Sequence, residues 1–327
     1  MESVSRKRNR MECSGQFRNY RKSARRRMGS YFNADKTVMS DIAETLRNAA
    51  EILRESGIIE PRREASSLLA FSLEKDKVFL VAHDDYEVSG EENTNFQSFL
   101  SRRASREPFE YITGAQEFYR LDFFVTPDVL IPRPETELIV ENAIEILREI
   151  EKPRFCEVGT GSGCISVSIL HEAKTATAIG LDISPKALEI ARRNADANGV
   201  SERFELKHSD VFDALKNEKK EKKEKFDLIV SNPPYVPFGD LAGLQPEVRD
   251  HEPQIALTDG GDGLSIIKKI IADSPQCLKP NGFLLIEIGH GQAAEVLRMF
   301  QPKIWKNVEV LRDLQGIQRT VKAQFTD

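Results

Sequence analysis

The chain has 327 residues, 40% apolar and 30% charged, with a net charge of −5, a balance expected of a globular, soluble protein with room for one large or two ordinary domains. No apolar run approaches the roughly 18 residues of a membrane helix, and the N-terminus carries no apolar stretch of a secretory signal. The charge is uneven: residues 1–27 hold ten basic and two acidic residues, about +8, so the rest carries about −13, which argues against a broad nucleic-acid footprint.

Residues 1–38 are rich in Arg and Ser, poor in hydrophobics and without a clear period, and are expected to form a basic disordered tail. The tail is acid-poor enough for an organellar transit segment, but has no amphipathic stripe. Otherwise a cytoplasmic location is expected. The four cysteines, Cys13, Cys156, Cys164 and Cys277, show no CxxC pairing and fit a reducing compartment. The five histidines show no metal spacing, so no metal is expected.

From Asp41 the pattern changes. Asp41 is placed to cap a helix carrying Ile42, Leu46, Ala49, Ala50 and Leu53, closed by Gly57. A second helix from about Arg62 carries Ala65, Leu68 and Leu69; Phe96, Phe99 and Leu100 mark another. Residues 39–106 are therefore expected to be a small helical domain, with substrate recognition as a candidate role. Residues 107–134 follow as a linker. It contains the alternating aromatic run Glu117–Val125, which predicts a hairpin, and a stretch stiffened by Pro132 and Pro134. Glu135 is expected to open a helix, with Arg133 and Glu137 at i, i+4 spacing for a local ion pair.

After Pro153 strands and helices alternate, the signature of a parallel sheet with right-handed crossovers. Strands are predicted near 154–158, 177–182, 203–207, 226–231, 282–288, 306–311 and 317–323. Helices are predicted near 163–173, 185–198, 263–277 and 291–300. The charged run Lys216–Lys225 reads as a solvated loop or helix extension. The fold class is thus α/β, with residues 135–327 as the catalytic domain.

Glu157-Val-Gly-Thr-Gly-Ser-Gly163 follows the first of these strands and precedes a helix. Glycines there let the backbone turn tightly and approach a ligand. Alone this pattern serves a dinucleotide, a nucleoside or a tight turn; it lacks the GxxxxGK[ST] of a phosphate loop. Asp182 ends the next strand, where a carboxylate accepts both hydroxyls of a ribose. Asp210 lies just past the third, where a carboxylate meets an adenine amino group. The succession suits an adenosine cofactor without a pyrophosphate: S-adenosylmethionine, with NAD as the alternative. Cys156 and Cys164 flank the loop and read as small buried hydrophobes.

Phe226–Val230 is an apolar strand that stops at Asn232-Pro233-Pro234-Tyr235. Neither proline donates to a sheet ladder, and Asn232 is held extended before one. This is a rigid corner at the carboxyl end of a strand, where open α/β sheets bind ligands. A planar nitrogen conjugated to a carbonyl or a ring is a poor nucleophile. Two fixed acceptors, the Asn232 side-chain oxygen and the Pro233 carbonyl, would aim its lone pair at a methyl donor and stabilise the developing positive charge. Tyr235 would stack on the planar group. The acceptor could be a glutamine amide or a nucleic-acid base.

These residues resemble known proteins. Asn232–Tyr235 after an apolar strand is similar to the motif of amino-directed methyltransferases. Together with Tyr111–Gly114, Ile131-Pro-Arg-Pro-Glu-Thr-Glu137, Glu157–Gly163, Glu247–Pro253, Asp259–Leu264, Glu287-Ile-Gly289 and Asp313–Gly316, it resembles the HemK-type protein-glutamine N5-methyltransferases that modify peptide-chain release factors. The likeness covers roughly residues 41–325. It implies a seven-stranded Rossmann-like class I methyltransferase domain behind a small helical domain, acting on the glutamine of a Gly-Gly-Gln loop. A ribosomal-protein glutamine or a nucleic-acid amine is the alternative target, and a non-catalytic cofactor sensor a third reading. The implied cofactor-binding residues are Glu157, Gly159, Thr160, Gly161, Ser162, Gly163, Asp182, Asp210, Val211 and Asn232. The implied substrate-binding residues are Asn232, Pro233, Pro234 and Tyr235, with Asn232, Pro233 and Tyr235 as the catalytic group. The implied partner is a release factor, and a monomer is expected. Val211 stands where relatives often place an aromatic, a difference of about 1 kcal/mol in adenine stacking. The long segment 236–262 has the length of a substrate lid.

Overall fold

A computed structural model describes residues 40–216 and 225–326. The basic tail and most of the charged run Lys216–Lys225 lie outside the described residues. The described chain divides into two units, residues 40–114 with Gln245–His251, and residues 115–244 with 252–326.

The helical unit is built as the apolar spacing dictates. Asp41 caps the helix Ile42–Glu55 by accepting from the Glu44 N–H at 2.7 Å. Its buried stripe, Ile42, Ala49, Ala50 and Leu53, shares one core with Ala65, Leu68 and Leu69 of Pro61–Leu73 and with Phe96, Phe99 and Leu100 of Gly90–Ala104. Ser89 and Glu92 form a reciprocal capping box on that last helix. Two short helices, Lys77–Ala82 and Phe109–Thr113, went unseen in the sequence. In the first, Val78 and Val81 are exposed and only Leu80 is buried, so no helical stripe is written there. Arg103 is buried and pairs with Glu64 and Glu247, and Arg106 also holds Glu247. Burial alone would raise the Glu247 carboxyl; hydrogen bonds from its own backbone, Arg106 and Arg103 outweigh it and hold it below the usual range. Glu247 thereby gathers Gln245–His251 into this unit.

The larger unit begins with a hairpin, β1 (Ala115–Phe118) and β2 (Leu121–Phe124). Its two turn residues, Tyr119 and Arg120, both have positive φ, 47° and 63°. Side chains resist that conformation. Glu137 offsets part of the cost by accepting the Tyr119 N–H at 2.8 Å. The main sheet comprises β3 (Arg154–Val158), β4 (Thr177–Asp182), β5 (Phe204–His208), β6 (Phe226–Ser231), β7 (Leu278–Glu287), β8 (Trp305–Arg312) and β9 (Gln318–Phe325). They lie in the order β5-β4-β3-β6-β7-β9-β8. The first five are parallel; β9 is antiparallel to both β7 and β8.

Successive side chains of the central strands enter opposite cores, as a sheet covered on both faces requires. Phe155, Ala178, Leu228, Val230 and Leu285 pack on one side with the helices Glu137–Arg148 and Cys164–Glu172. Cys156, Ile179, Ile229, Leu284 and Ile286 pack on the other with Ser265–Asp273 and Ala293–Leu297. The helix expected to open at Glu135 begins instead as a 3-10 turn, Pro134–Thr136, and becomes α-helical from Glu137. The helix expected over 291–300 is reduced to Ala293–Leu297.

Strand β3 continues to β4 on one side and is flanked by β6 on the other. The chain reverses direction across the sheet at this seam, and the loops after β3 and β6 diverge from neighbouring carboxyl ends. In open α/β sheets that divergence makes the ligand crevice.

Candidate active site

The β3–β6 register pairs Val158 with Ser231, so the glycine loop and the Asn-Pro-Pro-Tyr corner leave the sheet side by side. Ser231 Oγ donates to the Val158 carbonyl at 2.7 Å. A Cβ on Gly159 would lie 3.7 Å from the Asn232 main-chain oxygen. Above this seam is a cavity of about 300 Å³.

The expected cofactor residues meet there, with one exception. Glu157, Gly159, Thr160, Gly161, Ser162, Asp182, Asp210, Val211 and Asn232 all line the cavity. Gly163 does not. It sits at φ +80°, and a Cβ on it would come within 3.2 Å of the Ala191 Cβ. Its place is the close packing of loop on helix Pro185–Ala197. Of the corner residues, Asn232 and Pro234 line the cavity while Pro233 is buried behind them. Tyr235 is half-buried and gives its hydroxyl to Glu287 at 3.1 Å.

The carboxylates are individually fixed. Asp182 accepts the Gly161 N–H and the Ser184 N–H, each at 2.8 Å, which orients both oxygens. Burial pushes its pKa up against those bonds. Asp210 is half exposed and paired with Lys269 at 2.9 Å. Asp259 accepts from the backbone of Gly261, Gly263 and Ser265, and from the Ser265 hydroxyl. Burial alone would raise its carboxyl, but these bonds prevail and hold it down to about 2. Glu157 is wholly buried; one oxygen accepts the Ser166 N–H at 3.2 Å, and Oε1 has no hydrogen-bond partner among the described residues. Burial first, then the charge of Asp182, raises it to about 8 despite the Ser166 bond.

This donor set selects a ligand. Asp128, Glu157, Asp182, Asp210 and Asp259 line the cavity against Arg133, the one basic side chain on its wall among the described residues. Arg133 is itself taken: it pairs with Glu252, which also accepts the Ile131 N–H. The local Arg133–Glu137 pair expected from their spacing is not formed, because Glu137 is engaged by the Tyr119 N–H and Glu252 is the more deeply buried acceptor. A pyrophosphate would find repulsion here. A cationic adenosine sulfonium would find an unpaired buried carboxyl oxygen, the Asp182 carboxylate and glycine-loop backbone, so the residues fit S-adenosylmethionine and disfavour NAD.

Beside the corner, starting from Thr136 on the cavity wall, lies a polar network that residue patterns had not assigned. Asn232 Nδ2 donates to Thr136 Oγ1 at 3.0 Å, Thr136 Oγ1 donates to Glu287 Oε2 at 2.7 Å, and Tyr235 donates to Glu287 Oε1. Gln292 Nε2 donates to the Tyr235 carbonyl at 2.9 Å, and Gln292 Oε1 accepts the Gly289 N–H at 2.8 Å. Asn194, fully buried, exchanges hydrogen bonds with both main-chain groups of Phe124 and donates to the Ser162 carbonyl. Its signal was available: a polar residue on the buried face of an otherwise Ala/Leu stripe in Pro185–Ala197.

Residues 44–114 match the family model described as the PrmC N-terminal domain, and residues 151–310 match that of a methyltransferase domain. The release factor glutamine methyltransferase of Geobacter sulfurreducens is 42% identical over 269 residues, spanning 82% of this chain and 91% of its own length. The chain belongs to the release factor glutamine methyltransferase family. The family member of Nitratidesulfovibrio vulgaris is 37% identical, over 89% of this chain and 98% of its own. That of Cereibacter sphaeroides is 40% identical, over 86% and 98%. The chain is an S-adenosylmethionine-dependent methyltransferase. No helix among the described residues is long and apolar enough to cross a membrane.

Proposed function

We propose that this chain transfers a methyl group from S-adenosylmethionine to the side-chain amide nitrogen (N5) of the glutamine in the Gly-Gly-Gln motif of a peptide-chain release factor, a modification of translation termination. The observation that carries the chemistry is the direction of the Asn232 carboxamide. Its nitrogen is spent on Thr136, and its oxygen accepts no hydrogen bond among the described residues while the side chain lines the cavity. The oxygen is the acceptor a planar amide N–H requires.

The cofactor, when bound, supplies an electrophilic methyl group on a cationic sulfur. The protein's part is placement. Glu157 and Asp182 would hold the donor from the β3 and β4 ends, and the Asn232 oxygen on the cavity wall would take an amide hydrogen of the incoming glutamine. Pinned this way, the nitrogen would turn its lone pair toward the donor, and the Asn232 oxygen would stabilise the charge that grows on it. Pro233 and Pro234 make the corner stiff, so little ordering remains to be done at reaction. Tyr235 backs the corner, with its hydroxyl committed to Glu287. No base is needed before transfer, since the product nitrogen is strongly acidic.

A protein rather than a nucleic acid as partner is supported by the acidic balance after the basic tail and by the names of the relatives. The monomeric state and the candidate recognition role of residues 39–106 belong to the same proposal. The deciding experiment incubates the purified chain with labelled S-adenosylmethionine and, separately, a release factor, ribosomal proteins and nucleic acid. The expected result is one methyl group on the Gly-Gly-Gln glutamine by mass spectrometry. Label entering only ribosomal protein or nucleic acid overturns the assignment.

A further inference from the structure

We propose that Glu287, acting through Thr136, is a positioning residue that sets which end of the Asn232 carboxamide faces the substrate. This rests on the reading that Asn232 receives the target amide.

Glu287 ends β7, one strand from the corner, and its side chain is 1% exposed. A buried carboxylate is costly, and an apolar residue would pack the site more cheaply. What it provides is polarity. An ionised carboxylate only accepts hydrogen bonds. Both its oxygens are used, Oε2 by Thr136 at 2.7 Å and Oε1 by Tyr235 at 3.1 Å. The Thr136 hydroxyl has one proton, and it goes to Glu287. Only lone pairs remain to face Asn232, so Asn232 must present its NH2 there, at 3.0 Å. The carboxamide oxygen is thereby turned away from Thr136, toward the cavity.

Protonation undoes this chain. A neutral Glu287 can donate to Thr136, which then offers its proton to the Asn232 oxygen, and the carboxamide is free to turn over. The groups facing Glu287 are Thr136 and Glu135 from the turn before Glu137–Arg148, Cys164 at the start of Cys164–Glu172, Tyr235 after β6, and Arg319 on β9, whose guanidinium is also bonded to Asp313. Burial is the largest influence and raises Glu287; Thr136, Tyr235 and Arg319 pull it down and Glu135 pushes it up, leaving it at about 7. The two protonation states are therefore both accessible near neutrality.

The test uses the full chain with Thr136→Val, Thr136→Ser, Glu287→Gln and the Thr136→Val/Glu287→Gln double variant. Thr136→Val should lower kcat by about 10–100-fold, the scale for removing an outer-shell partner of a functional group, with the S-adenosylmethionine Kd within about threefold. Thr136→Ser, which keeps the hydroxyl, should restore most of kcat. The double variant should be no worse than Thr136→Val alone, since both break one relay. Unchanged kcat in folded Thr136→Val, loss in Thr136→Ser equal to that in Thr136→Val, or additive losses overturn the proposal. A substrate-free readout separates it from the choice of methyl acceptor. In 15N-asparagine-labelled protein, the Asn232 side-chain amide signals should shift as the pH crosses about 7 and stay fixed in Thr136→Val. Signals that ignore pH in the wild type refute the relay even if release-factor methylation is observed; a working relay without release-factor methylation refutes only the substrate.

Discussion

Ser231 Oγ donates to the Val158 carbonyl at 2.7 Å, and this bond closes the seam between β3 and β6 at the last residue of both strands. The glycine loop and the Asn-Pro-Pro-Tyr corner thus start from a common, buried origin. Their separation is set by strand spacing, not by loop conformation, which is the rigidity that transfer between two bound molecules demands.

Replacing Asn232 with alanine removes the carboxamide oxygen without touching Glu157, Asp182 or the glycine loop. Cofactor affinity, measured calorimetrically, should stay within a few-fold, and kcat should fall about 10²–10³-fold, the scale for losing one preorganised polar contact. Wild-type turnover in this variant would remove Asn232 from the mechanism.

Gly263 and Gly260 offer a matched comparison. Both have left-handed backbone, at φ +78° and +80°, so alanine costs similar strain at each. They differ in surroundings: a Cβ on Gly263 would meet the Tyr235 carbonyl at 2.1 Å, while one on Gly260 meets nothing within 4 Å. Gly263→Ala should therefore displace Tyr235 and lower kcat at least tenfold more than Gly260→Ala, a 1 Å misplacement being worth about 10². Equal kcat in the two variants would show that Tyr235 needs no such support.

The parallel strands were legible because their signals are local: apolar runs such as Phe226–Val230, glycine punctuation at 159–163, and prolines that end β6. Asn232 stood out for the same reason. Thr136, Glu252 and Glu287 stood only inside motifs, without a role, and Asn194 not at all, because each acts through partners 32 to 151 residues away. Spacing rules see only neighbours along one helix, so they favoured Arg133–Glu137 over the distant, deeply buried Glu252. The turn at Tyr119-Arg120 carries no Asn-Gly signal; its positive φ values are imposed by the flanking pairs Phe118–Leu121 and Glu117–Asp122 and by the Glu137 acceptor.

Asn194 joins helix Pro185–Ala197 to the hairpin and to the glycine loop through three hydrogen bonds. Asn194→Ala removes all three hydrogen bonds, which should cost about 2 kcal/mol in chemical denaturation, on the scale of about 1 kcal/mol or less for each buried bond lost. Cofactor affinity should fall as well, since the Ser162 carbonyl loses its anchor. A loss below about 0.5 kcal/mol, the level of an ordinary surface change, would mean that water replaces the amide.

Glu157 predicts how pH couples to both stability and cofactor binding. Burial and the Asp182 charge place its pKa at about 8 in the cofactor-free fold, above the ordinary 4.5. The folded chain therefore holds this proton more tightly than the unfolded chain. Its contribution to stability is largest below about 4.5 and is lost as the pH rises through about 8. Within that window the slope approaches about 1.4 kcal/mol per pH unit. Glu287, raised to about 7, adds a term of the same sign. Glu157→Gln should flatten the fall in the midpoint of thermal unfolding between about pH 6 and 8.5 relative to wild type. Cofactor binding should reverse the preference, because a cation beside Oε1 favours the carboxylate. Binding below about pH 8 must then expel a proton, seen as a binding enthalpy that varies with the ionisation enthalpy of the buffer. That variation should shrink in Glu157→Gln. An identical buffer dependence in wild type and variant would show that the cofactor's charge is met by another group.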